Sequence, residues 1–213
     1  RELELVKLFE LFQPPERGRS DTDAFLQIDD RCVPFELKST SRGGVTTVRD
    51  FGPEHVRKWA DKHWLIGVYS SDGATLKYGL YGSPGRMAPW ISEKHEYIHA
   101  DLALAEYVPA HISFDVLERI LGRKEYYTLD DARRLHKKQL RRQEYEERMD
   151  LRNGYSPERM LDLLRDRCAY VIRRGSTLNN PHIPNSYFDG WPRIASDHAA
   201  RLRELVRREW PSD

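Results

Sequence analysis

Two short apolar runs joined by three polar residues constrain the fold of this chain more than any other feature. Residues 24–28 and 32–40 are both rich in strand-forming side chains, and Asp29-Asp30-Arg31 between them has the chemistry of a hairpin turn. The second run reads Cys32-Val33-Pro34-Phe35-Glu36-Leu37-Lys38-Ser39-Thr40. Alternate side chains of an extended segment share a face, so Glu36 and Lys38 project together and Leu37 projects opposite. Asp21-Thr22-Asp23 opens the upstream run. With Asp29-Asp30 as a two-residue turn, Asp23 falls opposite Glu36; with Asp30-Arg31 as the turn, it falls opposite Lys38. Either register gathers Asp23, Glu36 and Lys38 on one face, and only a slip of one residue parts them.

The rest of the chain predicts a mixed α/β (α+β) fold. Residues 2–12 read as a largely buried helix that Pro14-Pro15 ends. After the hairpin come a Pro-initiated helix at 53–62, a strand at 64–69 and another at 75–81. Helices follow at 87–97, 114–121, 129–149, 157–174 and 194–209, with Thr128 and Ser156 as N-caps. The 213 residues suit a single domain, 1–213, whose core is 1–100 and whose helical elaboration is 101–213. With 39% hydrophobic and 32% charged residues the composition is that of a globular chain. No apolar stretch approaches the roughly 20 residues of a membrane span, and no signal-peptide pattern opens the sequence. The expectation is a cytoplasmic protein with no membrane partner. Cys32 and Cys168 have neither disulfide-framework nor metal-ligand spacing.

The face shared by Asp23, Glu36 and Lys38 has the chemistry of metal-dependent phosphodiester hydrolysis. That reaction needs an activated water and a stabilised, highly anionic transition state, and a bound Mg²⁺ serves both needs. Mg²⁺ prefers carboxylate oxygens and keeps several waters. Asp23 and Glu36 are the candidate ligands, with the backbone carbonyl of Leu37 between them. Lys38 is placed to orient the water, to stabilise developing charge or to act as base. There is no glycine fingerprint for nucleotides, no serine elbow and no paired His–Cys arrangement to favour other chemistry.

Asp23, twelve intervening residues and Glu36-Leu37-Lys38, followed by a helix and the strand at 64–69, resemble the PD-(D/E)XK nuclease core of type II restriction endonucleases. The resemblance covers roughly residues 1–82. It implies a restriction-endonuclease-like mixed sheet flanked by helices, with a helical C-terminal half. It also implies Mg²⁺-dependent, sequence-specific cleavage of double-stranded DNA by a homodimer in a prokaryotic cytoplasm. By position, Asp23 takes the first acid of the motif, Glu36 the second and Lys38 the lysine. Thr22 stands where the family has proline, so Asp21 is a second candidate for the first acid. Many members place a glutamate on the first helix near the metal, and Glu10 is the residue considered for that place.

Two segments have the composition of DNA-contacting loops. Residues 39–50 follow the motif directly and offer Ser39, Thr40, Arg42, Thr46 and Arg49, and His55 lies on the next helix beside Lys58. The irregular stretch 173–187 contributes Asn179, Asn180 and His182, and asparagine suits adenine recognition. A basic block formed by Arg133, Arg134, Lys137, Lys138, Arg141 and Arg142 suits either a phosphate-contacting face or a solvated, ion-paired helix. A repair or structure-specific nuclease of the same fold, and a non-catalytic DNA-binding protein, are the competing expectations.

Overall fold

Asp29 and Asp30 form the two-residue turn, with Asp29 at a φ of 52°, a left-handed conformation that aspartate tolerates. A computed structural model describes residues 1–16, 18 and 21–210. In chain order the elements are α1 (Glu2–Leu8), β1 (Ala24–Ile28), β2 (Arg31–Thr40), β3 (Val45–Thr46), α2 (Pro53–Trp59), β4 (His63–Tyr69), β5 (Leu76–Gly82), α3 (Pro84–Tyr107), α4 (Phe114–Leu121), β6 (Tyr127–Thr128), α5 (Leu129–Leu135), α6 (Arg142–Glu146), β7 (Gly154–Tyr155), α7 (Pro157–Gly175), β8 (His182–Ile183), β9 (Arg193–Ile194) and α8 (His198–Arg208). The class is mixed α+β. Two compact units divide the chain: residues 1–97 with 178–213, and residues 98–177. No helix among the described residues is long and apolar enough to cross a membrane.

The first unit is built on a five-stranded sheet of order β1-β2-β4-β5-β9. The β1–β2 hairpin is antiparallel with Ala24 opposite Phe35, β2 and β4 are parallel, and β5 returns antiparallel to β4. One face carries Leu26, Phe35, Leu37 and Leu65 into a core shared with Leu5 of α1, with Phe9 just after it and with Leu202 and Val206 of α8. On β4 the alternate residue Trp64 meets Trp59 of α2, ring centroids 5.0 Å apart. Glu36, in register with Trp64, therefore belongs to the α2 side of the sheet.

A glycine pair sets how closely α1 approaches. Gly67 and Gly79 are cross-strand partners. A Cβ on Gly79 would lie 2.6 Å from the Phe9 ring, and one on Gly67 would lie 3.0 Å from Leu5. Gly79→Ala is therefore expected to push Phe9 outward and cost about 1–3 kcal/mol, measured by denaturant unfolding.

A buried histidine adds a pH dependence to stability. His63 is buried with its Nδ1 2.7 Å from the Tyr81 hydroxyl, and burial pushes the imidazole down to about 4. Unfolded, it titrates near 6.5. The unfolded chain then binds the proton more readily, so the contribution is complete above pH 6.5 and is lost as pH falls toward 4. Between pH 7.5 and 5 the loss is about 2 kcal/mol. Thermal unfolding at the two pH values should show it in the wild type and not in His63→Gln.

Several boundaries differ from the sequence expectation. Helix α1 ends at Leu8, because Glu10 takes a φ of 52° and Phe12 pairs as an isolated bridge with Phe25. The apolar pattern at 2–12 was thus the sum of a helix and an extended segment. The helix expected at 129–149 is split into α5 and α6 by Lys137 and Lys138, both at positive φ. Neither a glycine nor a proline marks that break. The helix expected at 194–209 starts only at His198, because Ile194 joins β9, which pairs with β5, and Asp197 takes a φ of 47° before the first turn. With β9 and α8 the chain returns to the sheet-bearing unit, so the helical elaboration is 98–177 and not 101–213. The expected caps are present: Thr128 accepts from the Asp131 N–H and Ser156 from the Arg159 N–H.

Candidate active site

The hairpin register places Asp23 directly before the first β1–β2 pair, opposite Glu36. Beyond Ala24 the backbone pairing of β1 stops, and the Leu37 N–H donates to Asp23 Oδ2 at 2.9 Å. In an extended residue the C=O points to the same side as the N–H. The Leu37 carbonyl therefore faces the side on which Asp23 lies. Lys38 Nζ donates to Glu36 Oε1 at 2.7 Å and lies 3.8 Å from Asp23 Oδ2. The three residues expected to share a face do share one.

Two further lysines complete the cluster. Lys58 Nζ of α2 is 3.9 Å from Glu36 Oε2, and Lys62 Nζ, just after that helix, is 3.8 Å from the same oxygen. The Glu36 side chain is 2% exposed and the Lys62 side chain 3%. Glu36 Oε2 and Lys62 Nζ are buried and neither has a hydrogen-bond partner. Burial, followed by the neighbouring Lys58 charge, lowers the Lys62 ammonium from its ordinary range. Burial and the Glu36 charge raise the Asp23 carboxyl, against the Lys38 charge and the Leu37 N–H. A cation held between the two carboxylates would offset that repulsion.

The carboxylate pair fits Mg²⁺, which commonly takes one or two protein carboxylates and completes its shell with water and phosphate oxygens. Glu36 Oε2, buried and without a donor, is an open acceptor for such an ion. No group of three or more His, Cys, Asp or Glu side chains suited to a metal gathers among the described residues. A bound ion would take its further ligands from water, substrate and the Leu37 carbonyl.

Asp21 does not enter the cluster; its Oδ2 accepts from the Gly18 N–H at 2.7 Å. Glu10 is also elsewhere, paired with Arg203 at 3.0 Å. The first-helix glutamate nearest the site is Glu2. It lines a cavity of about 220 Å³ together with Leu5, Leu37, Lys38 and Ser39. Gln13 Nε2 donates both to Glu2 Oε1 and to the Asp23 carbonyl. Lys62 and Glu2 are the residues that sequence reasoning missed. A lysine placed between Trp59 and a continuously apolar strand was the available signal for the first. For the second there was none.

The two candidate DNA-contacting segments meet in the first unit through residues 45–51 and 178–183, while residues 173–175, expected to be irregular, end α7 in the second unit. β3 pairs antiparallel with β8, which sets Thr46 opposite His182. The Asn180 N–H donates to the Val48 carbonyl, and the Thr47 hydroxyl donates to the Pro181 carbonyl at 2.8 Å. Ser39, Arg42, Thr46, Arg49, Asn179, Asn180 and His182 are exposed. Thr40 is buried and its hydroxyl oxygen accepts from the Arg42 N–H at 3.1 Å, which shapes the turn. His55 is half-buried, 5.6 Å from the Trp59 ring, and its Nδ1 accepts from the Gly52 N–H at 3.4 Å. Burial, then the Lys58 charge, lowers its basicity, and its ring caps the start of α2. Half of the basic block is ion-paired: Arg142 with Glu146 at 2.7 Å, Arg133 with Asp130 at 3.9 Å and Arg134 with Asp131 at 4.0 Å.

Compared with known proteins, the chain matches no family model and no curated sequence.

Proposed function

We propose that this protein is a Mg²⁺-dependent endonuclease that cuts double-stranded DNA at a specific sequence, in the manner of a type II restriction enzyme. The observation that carries the reading is the convergence of Asp23, Glu36 and Lys38 at the open end of the β1–β2 hairpin, with a buried Glu36 oxygen lacking a donor. Water adds across one phosphoester bond, giving a phosphomonoester and a free hydroxyl. Asp23 and Glu36 would hold the ion, which when bound lowers the pKa of its water and polarises a phosphoryl oxygen. Lys38 Nζ, restrained by Glu36, orients the attacking water and stabilises charge on the phosphoryl oxygens. Lys58 and Lys62 leave the cluster with more ammonium groups than carboxylates, which suits a polyanionic substrate.

The joined surface of β3, β8 and their loops supplies arginine, asparagine and hydroxyl groups for phosphate and base contacts. A palindromic target implies a homodimer, each copy contributing one cutting site. Cytoplasmic location in a prokaryotic host belongs to the same reading.

The test is incubation of the purified protein with phage-sized duplex DNA, with Mg²⁺ or with EDTA. Discrete bands in the Mg²⁺ lane alone are the expected result. A smear would move the assignment to a nonspecific or repair nuclease. DNA left intact in both lanes by a folded sample, on duplex and branched substrates alike, would overturn the catalytic reading in favour of an ion-paired structural cluster.

A further inference from the structure

We propose that the helical unit carries a nucleotide-binding cavity in which Tyr170 stacks on a base and Arg173 meets the adjoining phosphate. The class of ligand rests on the nuclease reading, which makes nucleic acid the partner. A cavity of about 670 Å³ lies beside the C-terminal half of α7. That size is within the usual range for a small-molecule site. The N-terminal half of α7 is committed to the core, with Met160, Leu161, Leu163 and Leu164 buried. Farther along, Ala169, Tyr170 and Arg173 recur at helical spacing and line the cavity, with Thr177 just past the helix end and Leu140 and Gln139 also in the wall.

The lining has the three components that a nucleotide needs. Tyr170 presents a flat ring, 45% exposed. The Arg167 guanidinium lies 5.2 Å over that ring and also bonds Gln139, while Gln139 Nε2 reaches the Tyr170 hydroxyl at 3.5 Å, so the ring is held. Leu140 and Ala169 supply apolar wall. For charge, Arg148 is neutralised by Asp166 at 3.0 Å, whereas Arg173 has no carboxylate partner among the described residues. His136 is buried with its Nε2 donating to the Leu163 carbonyl at 2.9 Å, so it adds a polar floor. An inorganic anion has no use for the ring and the apolar wall, and an apolar ligand has none for the guanidinium. A base joined to a phosphate uses both.

The experiment titrates the full-length protein into 2-aminopurine deoxynucleoside monophosphate and, separately, into a short single strand containing 2-aminopurine, following fluorescence quenching. Tyr170→Ala is expected to weaken binding about tenfold, and Tyr170→Phe to retain it. Arg173→Glu is expected to weaken binding by a similar factor and to flatten its salt dependence. Both side chains are exposed, so thermal midpoints should match the wild type and exclude misfolding. Binding of the mononucleotide supports the site with a free nucleotide as its occupant; binding of the strand alone supports it with the DNA substrate as occupant. Failure of the wild type to quench either probe, or unchanged affinity in Tyr170→Ala and Arg173→Glu, overturns the proposal. The nuclease reading fails separately, through the absence of Mg²⁺-dependent cleavage.

Discussion

Glu36→Gln is expected to reduce Mg²⁺-dependent DNA cleavage about a thousandfold, equivalent to roughly 4 kcal/mol of lost transition-state stabilisation, while duplex binding persists. The same change has a structural cost. Glu36 is buried against three lysines, and removing one partner of a buried ion pair typically costs about 3–5 kcal/mol. A lowered thermal midpoint in Glu36→Gln thus follows whether the cluster is catalytic or merely structural. Lys38→Met separates the two. The Lys38 side chain is 17% exposed, and its loss leaves Glu36 with Lys58 and Lys62. If the cluster is catalytic, Lys38→Met loses cleavage as Glu36→Gln does at a temperature where circular dichroism shows the variant folded. Retained cleavage in a folded Lys38→Met protein would remove the lysine from the mechanism.

Lys62→Met is expected to make the protein more stable, by roughly 1–3 kcal/mol, and to slow cleavage. The ammonium is buried, has no hydrogen bond and stands 3.8 Å from a carboxylate that Lys38 already engages at 2.7 Å. Its desolvation is therefore poorly offset, and repulsion from Lys58 adds to the cost. Methionine fills a similar volume without the charge. Calorimetric unfolding beside a cleavage time course reads both consequences. A lower midpoint would instead make Lys62 a net-stabilising partner of Glu36. Unchanged cleavage would show that its charge is not used on substrate.

The hairpin was legible because its signals are local. Strict alternation put Glu36 and Lys38 on one face, and a two-residue aspartate turn left few registers, each bringing Asp23 to that face. Capping at Thr128 and Ser156 was legible for the same reason, since a hydroxyl and the N–H groups of the next turn lie within three residues. The break in the helix expected at 129–149 was not. Lysine at positive φ has no propensity signature, and on either side of the turn at Lys137-Lys138 Ala132 of α5 and Tyr145 of α6 enter one core cluster with Leu117 and Met160.

Sequence by itself determined that an acid, an acid and a lysine would lie side by side, because strand geometry and turn length act on neighbours along the chain. Tertiary structure alone decided what else surrounds them. α2 packs on the face that carries Glu36, bringing Lys58 and Lys62 to its second oxygen, and α1 brings Glu2 beside Lys38. It also decided that residues 45–46 and 182–183 pair, far apart in the chain, so that two polar loops become one surface. Such convergence depends on which faces of separate elements are buried together, and no spacing along one element encodes it.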